Sequence, residues 1–218
     1  MGKRGFIFDL DGVIVDTAKY HYLAWKKLAD RLGIVFTEEH NELFKGVSRR
    51  RCLEILLEMG NLKVQNEQFE AMLVEKNQDY LQSIAHMDAS EILPGVSLVL
   101  EFLRKSQMPM ALGSASKNAV PILEMVGLRH YFDVVVDGNH VSRAKPDPEV
   151  FLLAADGIGM RAGDCVVFED AVAGIRAANA GGMVSVGIGN ANVLSEAKYI
   201  FNDFTEISTE FIKQLVTD

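Results

Sequence analysis

Phe6-Ile7-Phe8-Asp9-Leu10-Asp11-Gly12-Val13 decides how the rest of the chain is read. Three large apolar residues run into two carboxylates separated by one leucine, and a glycine follows. Such an unbroken apolar run predicts a strand buried on both faces, as in a parallel sheet. Open α/β sheets place their ligands outside the carboxyl ends of the strands. With the chain still extended, Asp9 and Asp11 share one side, roughly 6–7 Å apart at the strand rise, and Leu10 points away. Gly12 permits a sharp turn after the second acid. Read alone, the stretch is equally a strand that ends in a polar turn, so its meaning depends on the rest of the chain.

The 218 residues are enough for one large domain, or for one domain carrying a smaller inserted one. A hydrophobic share of 49% allows a sizeable core. The net charge of −8 argues against a nucleic-acid partner, and it means that an anionic substrate needs locally placed positive groups. Cys52 and Cys165 lack metal-ligand spacing and read as buried thiols in a reducing compartment. No signal-peptide pattern and no apolar run of membrane-spanning length is present. The expectation is a cytoplasmic monomer with no membrane contact.

From Asp16 to about Met87 the pattern is helical. Leu23, Ala24, Trp25, Leu28 and Leu32 recur at helical spacing, and Gly33 follows as a stop. Thr37 and Ser48 read as starts of further helices, and Asn66 to Ile84 as a long one. From Ile92 onward, strand and helix alternate, with strands expected near residues 109–113, 134–136, 165–168, 183–186 and 199–201. That alternation predicts a doubly wound α/β fold, a parallel sheet covered on both faces. The first strand joins this sheet. Residues 1–15 and 88–218 are therefore expected to form the core, and residues 16–87 a small helical domain inserted through linkers near 15–17 and 88–94.

Polar groups gather just past four predicted strand or loop ends: Asp9 with Asp11, Ser114-Ala115-Ser116-Lys117-Asn118, Lys145-Pro146, and Glu169-Asp170. In a parallel sheet these ends lie on one edge. Four carboxylates near one point repel unless cations sit among them, and a hard divalent ion such as Mg²⁺, together with Lys145, answers that need. Ser114 and the backbone N–H groups near Asn118 offer a phosphate site. Each group also has a local reading: serines as turn residues, Glu169-Asp170 as a helix start, Lys145 as a solvated loop charge. Their joint occurrence on separate strand ends is what points to a site.

These residues resemble the four motifs of the haloacid-dehalogenase superfamily of phosphotransferases, in the family's order. The helical insertion is similar to that superfamily's small cap. Asp16-Thr17-Ala18-Lys19-Tyr20-His21, Trp25, Lys45-Gly46-Val47-Ser48-Arg49 and residues 114–118 resemble, more narrowly, its β-phosphoglucomutase family. The resemblance implies that Asp9 is a nucleophile forming an aspartyl phosphate and that Asp11 is the general acid and base. It implies Mg²⁺ held by Asp9, the Asp11 carbonyl, Glu169 and Asp170, with Ser114 and Lys145 on the transferring phosphoryl group. Arg49, Ser116, Lys117 and Asn118 would meet the far phosphate of a small phosphorylated sugar, and glucose 1,6-bisphosphate would be intermediate and activator. Thr17 and His21 would position Asp11 when the cap closes, and Lys76 would contact the sugar. On the residues alone, His21 reads as a half-buried core histidine, Lys76 as a solvated lysine, and Trp25 as cap core. Sugar phosphatases share most of the core, so a hydrolase is the alternative.

Overall fold

The computed structural model describes residues 4–217. Strand β1 (Gly5–Phe8) lies inside a six-stranded parallel sheet with β2 (Met110–Gly113), β3 (Val134–Val136), β4 (Cys165–Glu169), β5 (Val184–Ile188) and β6 (Tyr199–Phe201). The strand order is β3-β2-β1-β4-β5-β6. The order reverses between β1 and β4, which opens a crevice at their carboxyl ends. Phe8 pairs with Phe168, so Asp9 and Glu169 emerge side by side from neighbouring strands.

Because side chains alternate along a strand, the apolar run of β1 serves both faces of the sheet. Phe6 and Phe8 pack on one face with Val96, Leu100 and Leu103 of α5 (Val96–Lys105) and with Ile122 and Leu123 of α6 (Ala119–Met125). Ile7 packs on the other face with Phe151 and Ala154 of α7 (Glu149–Gly157) and with Ala177 and Ala178 of α8 (Val172–Ala180). Phe8 stacks on Phe168 with ring centroids 4.8 Å apart. A last helix, α9 (Thr209–Thr217), closes the first face through Ile212 and Leu215.

Between β1 and α5 the chain forms α1 (Ala18–Arg31), α2 (Glu38–Glu42), α3 (Arg49–Met59) and α4 (Asn66–Ile84). Their own apolar cluster holds Trp25, Leu28, Phe36, Phe44, Leu53 and Leu56. Ala24, Tyr80 and Ile84 instead join the apolar cluster of the sheet, which ties the base of the helical layer to the core. The two connections run side by side: Asp16 N–H donates to Glu91 O at 2.9 Å and Leu93 N–H to Ile14 O at 3.0 Å. Lys19 and Tyr20 brace them by bonding Glu91. Among the described residues no helix is long and apolar enough to cross a membrane.

Candidate active site

A cleft of about 780 Å³ lies over the carboxyl edge of the sheet, roofed by the helical layer. Asp9, Asp11, Ser114, Lys145 and Asp170 line it from below, and His21, Trp25, Lys45, Arg49 and Lys76 from above. The expected residues of four separate segments therefore do converge.

At the floor, Lys145 Nζ donates to Asp9 Oδ1 at 2.5 Å and to Glu169 Oε1 at 2.7 Å. All three side chains are buried. The solvated-lysine reading of Lys145 is thereby excluded. Burial lowers the proton affinity of the Lys145 ammonium, but Asp9 and Glu169 more than reverse this, so it stays charged. Asp9 is pushed up to about 7, first by burial, against the pull of Lys145, with Glu169 and Asp11 adding repulsion. Glu169 Oε2 accepts from the Ala171 N–H at 2.6 Å, so both its oxygens are engaged. Gly174 makes this possible, since a Cβ there would overlap the Glu169 carboxylate. Gly12, at φ +80°, likewise leaves room for the carboxylate of Asp170.

Asp170 is the unbalanced charge. Its nearest cation, Lys45 Nζ, lies 3.9 Å away. Burial, then Glu169 and Asp9, push its carboxyl well above the usual range. Among the described residues, no three His, Cys, Asp or Glu side chains form a metal cluster by themselves. Lys145 stands between Asp9 and Glu169 instead. A divalent ion between Asp9 and Asp170 would relieve the excess negative charge, and hard oxygen donors suit Mg²⁺.

Asp11 is held from the helical layer. Thr17 sits at the N-cap of α1 yet gives its hydroxyl to Asp11 Oδ1 and makes no side-chain cap. His21 Nε2 lies 3.7 Å from the same oxygen. Burial raises the Asp11 carboxyl, but His21, Thr17 and Lys76 outweigh it, so Asp11 is ionised well into the acid range. Two carboxyls two residues apart are thus driven in opposite directions by their surroundings. His21 stacks on Tyr80 at 4.2 Å, and burial with the nearby Lys76 charge holds its ring neutral.

Lys76 corrects the solvated reading. It is only 2% exposed. Its Nζ lies 2.9 Å from His21 Nδ1 and 4.8 Å from the ring centres of Trp25 and Tyr80. Burial and Arg49 pull it down to about 7. Trp25 belongs to the apolar cluster of the helical layer, packed edge-on to Phe44 at 5.4 Å.

The cleft also carries two cations without anionic partners. Most charged side chains of the helical layer are paired, Lys45 to Glu42 and Arg50 to Glu70 among them. Arg49 and Lys117 line the cleft with no ion pair among the described residues. Ser48 caps α3 by accepting from Arg51 N–H at 3.3 Å, which sets Arg49 at the first position of that helix. Gly46, at φ +69°, lets the Lys45–Val47 loop press onto the core, with Ala171 Cβ 3.0 Å from where its own Cβ would be. The close approach is to Ala171.

The loop after β2 also differs in detail from the expectation. Ser116 N–H donates to Ser114 Oγ at 3.0 Å, and Asn118 N–H to Ser116 Oγ at 3.2 Å. These amides are used in shaping the loop. The carbonyl of Ala115 sits against Gly138, where any side chain would collide with it. Two further residues escaped the sequence reading. Asn41, 7% exposed, lines the cleft with a buried Oδ1 that has no partner. Asn77 Oδ1 accepts from Asn118 Nδ2 at 3.0 Å. Each sits among other polar residues of its helix and carries no periodic signal.

With this geometry in hand, comparison with known proteins is decisive for the family. A model of the haloacid dehalogenase-like hydrolases matches residues 3–182. The chain is an enzyme of that family. It is 36% identical over 213 residues to a β-phosphoglucomutase of Bacillus subtilis, covering 97% of this chain and 94% of the relative. It is also 36% identical over 186 residues to a fructose-1-phosphate phosphatase of Escherichia coli, covering 84% and 95%. Its fold superposes on the crystal structure of a β-phosphoglucomutase from Clostridium difficile with a TM-score of 0.95 at 39% identity, covering 99% of this chain and 97% of the other.

Proposed function

We propose that this haloacid dehalogenase-like enzyme is a β-phosphoglucomutase, interconverting β-D-glucose 1-phosphate and glucose 6-phosphate through an aspartyl-phosphate enzyme and glucose 1,6-bisphosphate. The observation that carries the reading is the pair of unpartnered cations, Arg49 and Lys117, in the same cleft as the Asp9–Lys145–Glu169 centre. A sugar bisphosphate has two anionic ends, and the cleft offers a cationic group for each. Likeness over nearly the whole chain to two β-phosphoglucomutases supports it.

In this reading residues 1–15 and 88–218 are the catalytic core, residues 16–87 are the cap, and one chain supplies every group. Asp9 attacks phosphorus, forming a carboxyl-phosphate bond while the bond to the sugar oxygen breaks. Lys145 and Ser114 hold the transferring oxygens, and Glu169 keeps Lys145 in place. Asp11, ionised at rest, takes the proton of the incoming hydroxyl in one half-reaction and gives it to the leaving sugar oxygen in the other. Thr17 and His21 hold Asp11 for both. Arg49, with Ser116, Lys117 and Asn118, grips the far phosphate, for which a guanidinium fork is well shaped. Lys76, Trp25 and the Lys45–Ser48 loop enclose the sugar and keep water from the aspartyl phosphate. Asp9, the Asp11 carbonyl and Asp170, with Glu169 beside them, would hold Mg²⁺, which would supply charge neutralisation between nucleophile and phosphate.

The same floor serves a Mg²⁺-dependent sugar-phosphate phosphatase, and likeness to the E. coli enzyme favours that second reading. Asp9→Asn tests the shared chemistry: the wild type should take up acid-stable, base-labile phosphate from acetyl phosphate, and the variant should take up none. Label retained in Asp9→Asn moves the nucleophile elsewhere.

A further inference from the structure

Asp137 follows β3 directly at the carboxyl edge of the sheet, and the chemistry above leaves its carboxylate unused. The residue is only 3% exposed. Its Oδ1 accepts from the Asn139 N–H at 2.8 Å and its Oδ2 from Asn139 Nδ2 at 3.2 Å. His140 Nδ1 lies 2.8 Å from the same Oδ1, and the His140 N–H closes the turn onto Asp137 O at 2.9 Å. A buried carboxylate thus organises residues 137–140 as a tight turn, since a short acidic side chain can bond the backbone two residues on. β3 pairs with β2, so this turn lies beside the 114–118 loop that follows β2.

The turn grips that loop at successive residues. The Gly138 N–H donates to Ser116 O at 3.1 Å. Asn139 Nδ2 donates to Lys117 O at 3.1 Å as well as to Asp137, so both hydrogens of the amide are used. A Cβ at position 138 would overlap the Ala115 carbonyl and stand 3.1 Å from Lys117 Cγ. Gly138 lies outside the left-handed region, so the position requires glycine for space alone. The stem of Lys117 therefore runs past a surface that only glycine provides, with its own carbonyl tied to Asn139. Lysine is among the side chains that lose most rotamer freedom on being ordered, and fixing its root and stem in advance lowers that cost when an anion binds.

We infer that Asn139, held by Asp137, is a positioning residue that clamps Lys117 and so presets its ammonium in the cleft. Every contact of this clamp lies within the core. The inference rests on the reading that Lys117 meets the distal phosphate of a sugar phosphate. That phosphate does not react, so its grip is the same in ground and transition states. Loosening the clamp should then raise KM and leave kcat in place.

The test compares the wild type, Asn139→Ala, Lys117→Met and the double variant on β-D-glucose 1-phosphate with a trace of glucose 1,6-bisphosphate. Asn139 is exposed, so its truncation leaves the core packing intact. Asn139→Ala should raise KM about fivefold, roughly the worth of one hydrogen bond, with kcat within about twofold of the wild type. In the Lys117→Met background the same substitution should change KM less than about twofold, because the group it positions is already gone. Phosphorylation of Asp9 by acetyl phosphate, which has no distal phosphate, should stay within about twofold in Asn139→Ala. An unchanged KM in Asn139→Ala or in Lys117→Met, an equal rise with and without Lys117, or an equal loss in the acetyl phosphate step overturns the clamp. If the wild type yields only free phosphate, the mutase reading fails. KM for that hydrolysis, compared across the same four proteins, then decides the clamp.

Discussion

Lys76 Nζ lies 2.9 Å from His21 Nδ1, and this contact fixes what His21 shows to Asp11. Below about pH 7 Lys76 is an ammonium with only donors, so Nδ1 then accepts and the ring proton resides on Nε2. Nε2 faces Asp11 Oδ1 at 3.7 Å. A buried lysine between two aromatic faces thus acts on Asp11 without touching it.

Replacing Lys76 by Met keeps an apolar body between Trp25 and Tyr80 and removes the donor. Turnover of sugar phosphate should fall about ten- to a hundredfold. The His21 ring, now free of a like charge, should protonate at higher pH than in the wild type. Imidazole NMR across the titration checks this, and an unshifted His21 contradicts it.

Arg49 sits half-buried at the first position of α3 with no carboxylate partner, and burial alone lowers its proton affinity. Arg49→Ala should reduce mutase turnover tens- to thousandfold, the cost of a charge-assisted two-point contact of a few kcal/mol. Phosphorylation of Asp9 by acetyl phosphate should lose far less. Arg49→Lys should recover only part, since a point charge cannot reproduce the fork. Measuring both half-reactions separates these outcomes, and equal loss in the two would count against a far-phosphate role.

The floor predicts how stability responds to pH and Mg²⁺. Asp9 titrates at about 7 and Asp170 well above its usual range, so the folded protein holds protons that the unfolded chain releases near pH 4. The contribution of these two carboxyls to stability without metal should therefore be fully present in acid and be lost as pH rises through about 7, opposite in sign to that of Asp11. Mg²⁺ competes with those protons and binds only the folded state in this way. The rise in Tm on adding Mg²⁺ should be larger at pH 8 than at pH 5.5. A rise independent of pH would contradict the charge arrangement derived for Asp9 and Asp170.

The fold was largely legible because it rests on periodicity and punctuation. The run Phe6-Ile7-Phe8 serves two faces of a sheet, and α4 spans the expected Asn66–Ile84. Convergence of Asp9, Lys145 and Glu169 followed from their places at strand and loop ends. What stayed hidden is where polar side chains point once helices pack. Lys76 lies on a helix rich in charges, and only Trp25, Tyr80 and His21 around it make it a buried lysine. Asn77 and Asn118 are 41 residues apart, and no local pattern links them. The serines of the 114–118 loop read as phosphate ligands, whereas their hydroxyls first satisfy the loop's own amides.

The central claim is that the phosphoryl group on Asp9 passes to a sugar rather than to water. Product analysis tests it most directly. The enzyme is given Mg²⁺, β-D-glucose 1-phosphate and a trace of glucose 1,6-bisphosphate, and glucose 6-phosphate and free phosphate are followed together. Glucose 6-phosphate should appear in amounts that track consumption of substrate, with little free phosphate. Stoichiometric release of free phosphate and glucose, without glucose 6-phosphate, would contradict it and establish the hydrolase instead.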